Sequence, residues 1–161
     1  MEGIDVLFTH HQNGRVFTLD EKAQLDYINE DLPTFAFELQ YKKNKVLKQG
    51  WLFDVNKKTE FYSLITSIYS DAPEIFTSCK ITFVNRAKLI TLLETKDLSR
   101  NSLEILITKN VIHQGKLEMD QLNVKSEGYL YFSSHKKAEE PINLILKLDF
   151  LIKNGVAKRF I

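Results

Sequence analysis

The chain has 161 residues, 43% of them hydrophobic and 27% charged, and a formal net charge of +1 at pH 7. These values are typical of a globular protein, and the near-neutral charge argues against a protein that coats duplex nucleic acid through a large basic excess. No apolar run approaches the ~18 residues of a membrane-spanning helix. The only cysteine, Cys79, leaves no internal disulfide. We expect one domain over residues 1–161, cytoplasmic and without a membrane partner.

The first clear pattern is a β-hairpin formed by the apolar runs at residues 6–8 and 16–19. Asn13-Gly14 between them favours a two-residue type I′ turn, because both turn positions need a positive φ. With these two residues as the loop, Leu7 lies opposite Asp20. The sequence therefore predicts both the hairpin and its register.

The predicted register also assigns side chains to the two faces of the hairpin. Since strand side chains alternate, Asp5, Asp20 and Lys22 share one face, and Glu21 points to the other. The face shared with Glu21 is apolar and is expected to contact the core: Val6, Phe8, Phe17 and Leu19.

Two acidic residues on one face have two interpretations. Asp5 and Asp20 would be diagonal neighbours ~7 Å apart, a separation that suits two carboxylates sharing a divalent cation. Glu21 then has only its backbone carbonyl to offer. Alternatively, Asp20 is the N-cap of a short helix over residues 21–30, and Lys22 forms a cross-strand ion pair with Asp5.

The next predicted strand covers residues 32–40 and follows a short helical stretch. Its residues alternate between an apolar and a more polar face. The apolar face carries Phe35, Phe37 and Leu39, and the other carries Ala36, Glu38 and Gln40.

An Asp, a hairpin and then Asp-x-Lys, in the order strand, strand, helix, strand over residues 3–42, resembles the PD-(D/E)XK (restriction-endonuclease-like) nuclease superfamily. The resemblance implies an α/β fold of the α+β type, with a mixed, largely antiparallel sheet and flanking helices. The nuclease-like core would occupy residues 1–70, with further strands and helices in residues 71–161.

The resemblance also implies roles for individual residues. Asp5 and Asp20 would bind Mg²⁺ or Mn²⁺, together with the backbone carbonyl of Glu21. Lys22 would orient the attacking water and stabilise charge on the phosphate. The polar residues of the next strand would complete the site: Gln40 as a catalytic residue and Glu38 as an auxiliary one.

The implied function is metal-dependent cleavage of nucleic-acid phosphodiester bonds, with DNA as the first expected partner and a homodimer as one way to complete the fold. The lysines at 42, 43 and 45 would contact nucleic acid, although a solvated loop is the commoner reason for such a cluster. The alternative is a catalytically inactive nuclease-fold protein that acts as a binding or interaction module, since only four residues precede Asp5.

The remaining chain predicts further strands and two more helices. Strands are expected over residues 61–69, 79–85, 102–108, 115–120 and 127–134, with a tight turn at Lys43-Asn44. Asn85 is the expected N-cap of a helix over residues 86–96. A polar connector over residues 133–141 leads to a last helix that begins at Pro141 and ends at Asn154-Gly155. Trp51 is expected in packing rather than in base stacking.

Overall fold

The computed structural model describes residues 2–133 and 139–160. Within them the chain forms ten strands, three α-helices and a short 3-10 helix, Leu25–Tyr27. The strands are β1 (Val6–Thr9), β2 (Val16–Ala23), β3 (Thr34–Lys43), β4 (Val46–Gln49), β5 (Phe61–Ala72), β6 (Ile75–Asn85), β7 (Gly115–Leu117), β8 (Gly128–Phe132), β9 (Glu140–Lys147) and β10 (Ala157–Arg159). The α-helices are α1 (Arg86–Thr95), α2 (Arg100–Lys109) and α3 (Leu148–Lys153).

The strands form two sheets instead of the single sheet predicted from the sequence. The first sheet has the order β1-β2-β5-β6-β10 and the second has the order β4-β3-β9-β8-β7. Only the β2–β5 pair is parallel among the described strand pairs. The fold is therefore α+β and largely antiparallel. The predicted hairpin and strand β3 belong to different sheets.

The main core contains one face of each sheet, together with residues from the helices. Tyr62 and Leu64 of β5 meet Phe37 of β3 and Leu144 of β9, all at most 1% exposed. Leu89 of α1 and Leu103 of α2 complete the same cluster. In the part of the chain that the structure describes, no helix is long and apolar enough to cross a membrane.

The hairpin forms, but its loop is longer than predicted and its register differs by two residues. His10 N donates to Arg15 O at 2.8 Å, so four residues, 11–14, form the loop, and Leu7 pairs with Thr18 rather than with Asp20. Because strand side chains alternate with a period of two, a shift of two residues leaves every side chain on its predicted face.

The expectation that the apolar face of the hairpin contacts the core is wrong. Asp20 pairs with Tyr62 across β2 and β5, and Tyr62 belongs to the main core. Paired residues point to the same side of a sheet, so the Asp20 face is the one turned toward the core. The face with Phe8, Phe17 and Leu19 looks outward.

Three secondary-structure predictions are also wrong. Residues 21–30 form the end of β2 and the 3-10 helix instead of an α-helix, since Leu25, Tyr27 and Ile28 are exposed and provide no buried face. Residues 102–108 belong to α2, and residues 140–147 form β9. The predicted polar connector includes residues 134–138, which lie outside the described residues.

Candidate functional site

The candidate site is built around Asp20, a charged residue that is only 2% exposed. Strand β2 turns this side chain toward the core beside Tyr62. Two residues along the same strand, Lys22 shares this face, and its Nζ donates to Asp20 Oδ1. The other carboxylate oxygen, Asp20 Oδ2, is buried and receives no hydrogen bond from the described residues.

Asp5 lies closer to Asp20 than the sequence predicted. Asp5 N donates to Leu19 O at 2.8 Å, and this register places Asp5 directly opposite Asp20 instead of diagonally. Asp5 is exposed, and its Oδ2 accepts a hydrogen bond from Glu21 N at 2.9 Å. The Glu21 side chain is exposed, and its backbone carbonyl is 3.4 Å from Lys22 Nζ.

The pKa values of Asp5 and Asp20 are shifted in opposite directions. Burial raises the pKa of Asp20, the nearby Asp5 raises it further, and Lys22 opposes both. The backbone N–H of Glu21 lowers the pKa of Asp5 by stabilising its charged form. The pair therefore combines a readily ionised carboxylate at the surface with a buried one whose negative charge is disfavoured.

A β-bulge in β3 separates the two polar residues that were expected to share a face. The β3–β9 register shifts between Glu38, which pairs with Asn143, and Gln40, which pairs with Ile142. Gln40 is consequently buried with its Oε1 unpaired among the described residues, and it lies beside Arg100 of α2. The predicted alternation holds for Ala36 and Glu38 and is wrong for Gln40 alone, because the bulge adds one residue before it.

Glu38 lies close enough to Lys22 for the lysine charge to affect the pKa of its carboxyl group. Burial raises the pKa of Glu38, while the backbone N–H of Trp51 and the charge of Lys22 oppose the increase. Gly50 allows the chain after β4 to lie close to the backbone of β3, since a Cβ at this position would lie 2.5 Å from Glu38 O. The chain after β4 therefore continues along β3, where Gly50 N donates to Leu39 O and Leu52 N donates to Glu38 O.

Trp51 and Lys22 line a cleft of about 310 Å³. Lys22 Nζ is 5.5 Å from the centre of the Trp51 ring system, within cation–π range. Tyr27 and Asp26, from the segment between the sheets, line another part of the cleft. An ammonium group, three aromatic side chains (Tyr27, Phe35 and Trp51) and the neighbouring carboxylates thus lie in or beside one cleft.

The lysines proposed to contact nucleic acid lie away from this cleft. Lys43 ends β3, five residues beyond Glu38, or roughly 16 Å at the rise of a strand. Its Nζ forms an exposed ion pair with Glu139 at 2.7 Å. Lys42 lies beside it on β3, and Lys45 occupies the turn to β4 with φ of 65°. The structure does not bring these lysines to Asp20.

The donor set at Asp20 matches the modest needs of Mg²⁺ in proteins. This ion is usually held by one or two carboxylates and keeps several of its waters. Asp5 and Asp20 supply two carboxylates, and Asp20 Oδ2 is a buried acceptor to which no described residue donates. No group of three or more His, Cys, Asp or Glu side chains suited to a metal occurs within residues 2–133 and 139–160.

Sequence reasoning missed the contributions of Trp51 and Tyr62 to the site. Trp51 was predicted in packing; it does pack on Tyr62, with ring centres 4.8 Å apart, but it also lines the cleft. Burial raises the pKa of Tyr62, which lies beside Asp20. The glycine at position 50 was the available signal, since a glycine in a strand-like stretch often marks close backbone approach.

Comparisons with protein-family models, with curated proteins and with solved structures give no match for this chain. The resemblance to the PD-(D/E)XK nucleases therefore stays a prediction from the short motif around Asp5, Asp20 and Lys22.

Proposed function

We propose that the chain is a metal-dependent nuclease with a restriction-endonuclease-like core, cleaving phosphodiester bonds of nucleic acid, in the first place DNA. The observation that supports this most strongly is the buried Asp20, whose Oδ2 has no hydrogen bond from any described residue while Asp5 and Lys22 lie beside it. Leaving a buried acceptor unpaired is costly. Such an atom is expected where a ligand completes the site.

Each residue of the site has a role in this proposal. Asp5 and Asp20 would hold Mg²⁺ or Mn²⁺ with the Glu21 carbonyl nearby, and the bound ion would supply Lewis-acid chemistry and an activated water. Lys22, fixed against Asp20 Oδ1, offers a positive charge and a proton to the phosphate oxygen that gains charge during cleavage. Glu38, the one acidic residue of β3, keeps its auxiliary role in this proposal.

The cleft beside Lys22 suits a nucleotide. Trp51 and Tyr27 provide aromatic surfaces on which a base can stack, at ~1–3 kcal/mol for each base. Stacking requires a base that is not enclosed in a duplex. A single-stranded or locally opened substrate is therefore the form that fits this cleft.

A melting experiment tests the metal site before any substrate is chosen. Ligand bound only to the folded state at 100 times its dissociation constant stabilises a protein by ~2.7 kcal/mol. Excess Mn²⁺ or Mg²⁺ should raise the melting temperature of the wild type but not of Asp20→Asn. Asp120→Asn, at an exposed aspartate outside the site, is the matched control and should respond like the wild type. Equal shifts in all three proteins would exclude the site.

Cleavage is tested with purified protein, Mn²⁺, and single- and double-stranded DNA and RNA. The wild type and Asp120→Asn should cut, a chelator should stop both, and Asp20→Asn should be inactive. Activity that survives in Asp20→Asn would identify a contaminating nuclease or a different site.

A catalytically silent binding module is the second candidate, and one contact favours it. Lys22 already provides a positive charge to Asp20, so part of the need for a metal is met within the chain. On this alternative the protein binds nucleic acid in the cleft without cutting it. Binding that is unchanged by chelator, combined with no cleavage of any substrate, would select this function.

A further inference from the structure

The outward face of the first sheet holds an apolar groove that the proposed function does not use. The groove has a volume of about 590 Å³ and is lined by Phe8, Phe17, Leu19, Phe61 and Phe83. This volume lies within the ~300–1,000 Å³ typical of small-molecule sites. Soluble proteins rarely leave large contiguous apolar surfaces open without a function.

The outward face is concave. Phe8 of β1 and Phe83 of β6 are in edge-to-face contact, with ring centres 5.8 Å apart, although β2 and β5 lie between their strands. Three strand spacings in a flat sheet would separate the two strands by ~14 Å. The sheet therefore curls around the groove, which favours a slender ligand over a helix or a flat protein surface.

The charged residues that line the groove are both lysines. Lys88 belongs to the first turn of α1 and Lys158 to β10, and none of the described residues that line the groove is acidic. Neither lysine has a carboxylate partner among the described residues; Lys88 Nζ has only Gly155 O, at 3.4 Å. The groove therefore complements a ligand with an apolar body and a negatively charged end.

We infer that the groove binds an aliphatic carboxylate of the fatty-acid type, with its chain on the phenylalanines and its carboxylate near Lys88 and Lys158. A second copy of the chain is the less favourable occupant. A two-fold interface places one patch against itself, and two copies of this face would bring the same unpaired lysines together.

Calorimetric titration with a series of linear carboxylates, from hexanoate to decanoate below micelle-forming concentrations, tests the apolar part. Affinity should rise roughly fourfold for each added methylene, since each buried CH₂ contributes ~0.8 kcal/mol. The alcohols of equal chain length should bind more weakly, because they lack the charge that the lysines match. Equal affinity of acids and alcohols, or no binding at any chain length, would overturn the inference.

Two pairs of variants locate the ligand. Phe8→Ser should weaken decanoate binding about tenfold, whereas Phe76→Ser, at a phenylalanine of β6 outside the groove and 56% exposed, should not change it. Lys158→Gln should weaken binding about two- to fivefold, as expected for an exposed ion pair, and Lys125→Gln should have no effect. If the two variants of each pair bind decanoate with equal affinity, decanoate does not bind in this groove and the inference is wrong.

Sedimentation analysis of the same proteins tests whether a second copy of the chain occupies the groove. The wild type is expected to remain a monomer at the concentrations of the titration, with and without decanoate. If it dimerises, if Phe8→Ser abolishes the dimer, and if no carboxylate binds, the groove is an interface between copies and the inference is wrong.

Discussion

On the first sheet, the face turned toward the core carries Asp20 at 2% exposure, whereas the outward face carries Phe8 at 47%. A charged side chain is thus buried while a large aromatic one is half exposed, on neighbouring strands of one sheet. Lys22 is the partner that stabilises the buried carboxylate, whereas the opposing Asp5 disfavours its charge. The more apolar face of a strand is therefore not necessarily the face that packs in the core. The position of the second sheet determines which face is buried.

The central strand β5 explains why the two faces are hard to tell apart. Its inward residues Tyr62 and Leu64 belong to the core, but its outward residues Phe61 and Ile65 are also apolar. A strand that is apolar on both sides gives no alternation from which to choose a face. The choice depends on β3 and β9, which come from distant parts of the chain.

The largest expected contrast between the faces is in stability. Phe37, fully buried, contacts the rings of Phe35, Trp51 and Tyr62, and Phe37→Ala should lower the free energy of unfolding by ~3–5 kcal/mol. Phe8→Ala should lower it by about 1 kcal/mol, because much of the ring is already exposed. Urea titrations measure both; equal losses would show that the outward face is a second core.

The second contrast concerns chemistry at Lys22. On the proposed function, Lys22→Ala should reduce the cleavage rate ~100- to 1,000-fold, since a fixed charge that meets the developing phosphate charge is lost. Lys22→Arg should restore little, because the guanidinium is bulkier and does not give up its proton. Lys125→Ala is the surface control and should cut like the wild type. If Lys22→Ala is equally fast, the role assigned to this lysine is wrong.

The third contrast is in the pH dependence of stability. Asp20 has a raised pKa, so the folded state binds its proton more tightly than the unfolded state does. The contribution of Asp20 to stability therefore falls as pH rises from about 3.8 through the folded-state pKa. Asp5 has a lowered pKa, and its contribution is present above about 3.8 and lost as pH falls below it. Asp20→Asn in metal-free buffer should therefore gain stability relative to the wild type as pH rises from 4 to 7. A constant difference between the two proteins would show that Asp20 titrates normally.

Local signals predicted much of the fold. The hairpin and the helix capped by Asn85 are confirmed, and Asn85 Oδ1 accepts from Lys88 N at 2.9 Å. The turn predicted at Lys43-Asn44 forms one residue later, at Asn44-Lys45. Residues 102–108 were predicted as a strand because Leu103, Ile105 and Ile107 alternate. Ile105 is 56% exposed, however, and Leu103 and Ile107 form the buried stripe of a helix capped by Ser99.

Competing periodicities explain the error near the C-terminus. Pro141 and the spacing of later apolar residues favoured a helix, but Ile142, Leu144 and Leu146 alternate and are all buried in β9. Tertiary pairing with β3 and β8 stabilises the strand, and no local signal predicts those partners.

The site was predictable only as far as the alternation of β2. The shared face of Asp5, Asp20 and Lys22 survives the register error because that error is an even number of residues. The position of Gln40 was not predictable, since a bulge at Leu39 has no clear sequence signal. The cleft depends on Trp51, which reaches it because residues 50–52 continue along β3 and bond to its backbone.

The smallest expected effect concerns the loop that sets the hairpin register for both faces. Gly14 has φ of 68°, its N donates to His10 O at 2.9 Å, and a Cβ there would meet no atom of the described residues within 4 Å. Gly14→Ala should therefore cost only the backbone strain of the left-handed conformation, ~1–2 kcal/mol, with no steric addition. Gly14→Asn should cost less, because Asn tolerates this conformation better. Thermal unfolding of the three proteins should rank them wild type, Gly14→Asn, Gly14→Ala. If Gly14→Ala melts with the wild type, the loop does not need the positive φ, and another feature must fix the register that places Asp20 inside and Phe8 outside.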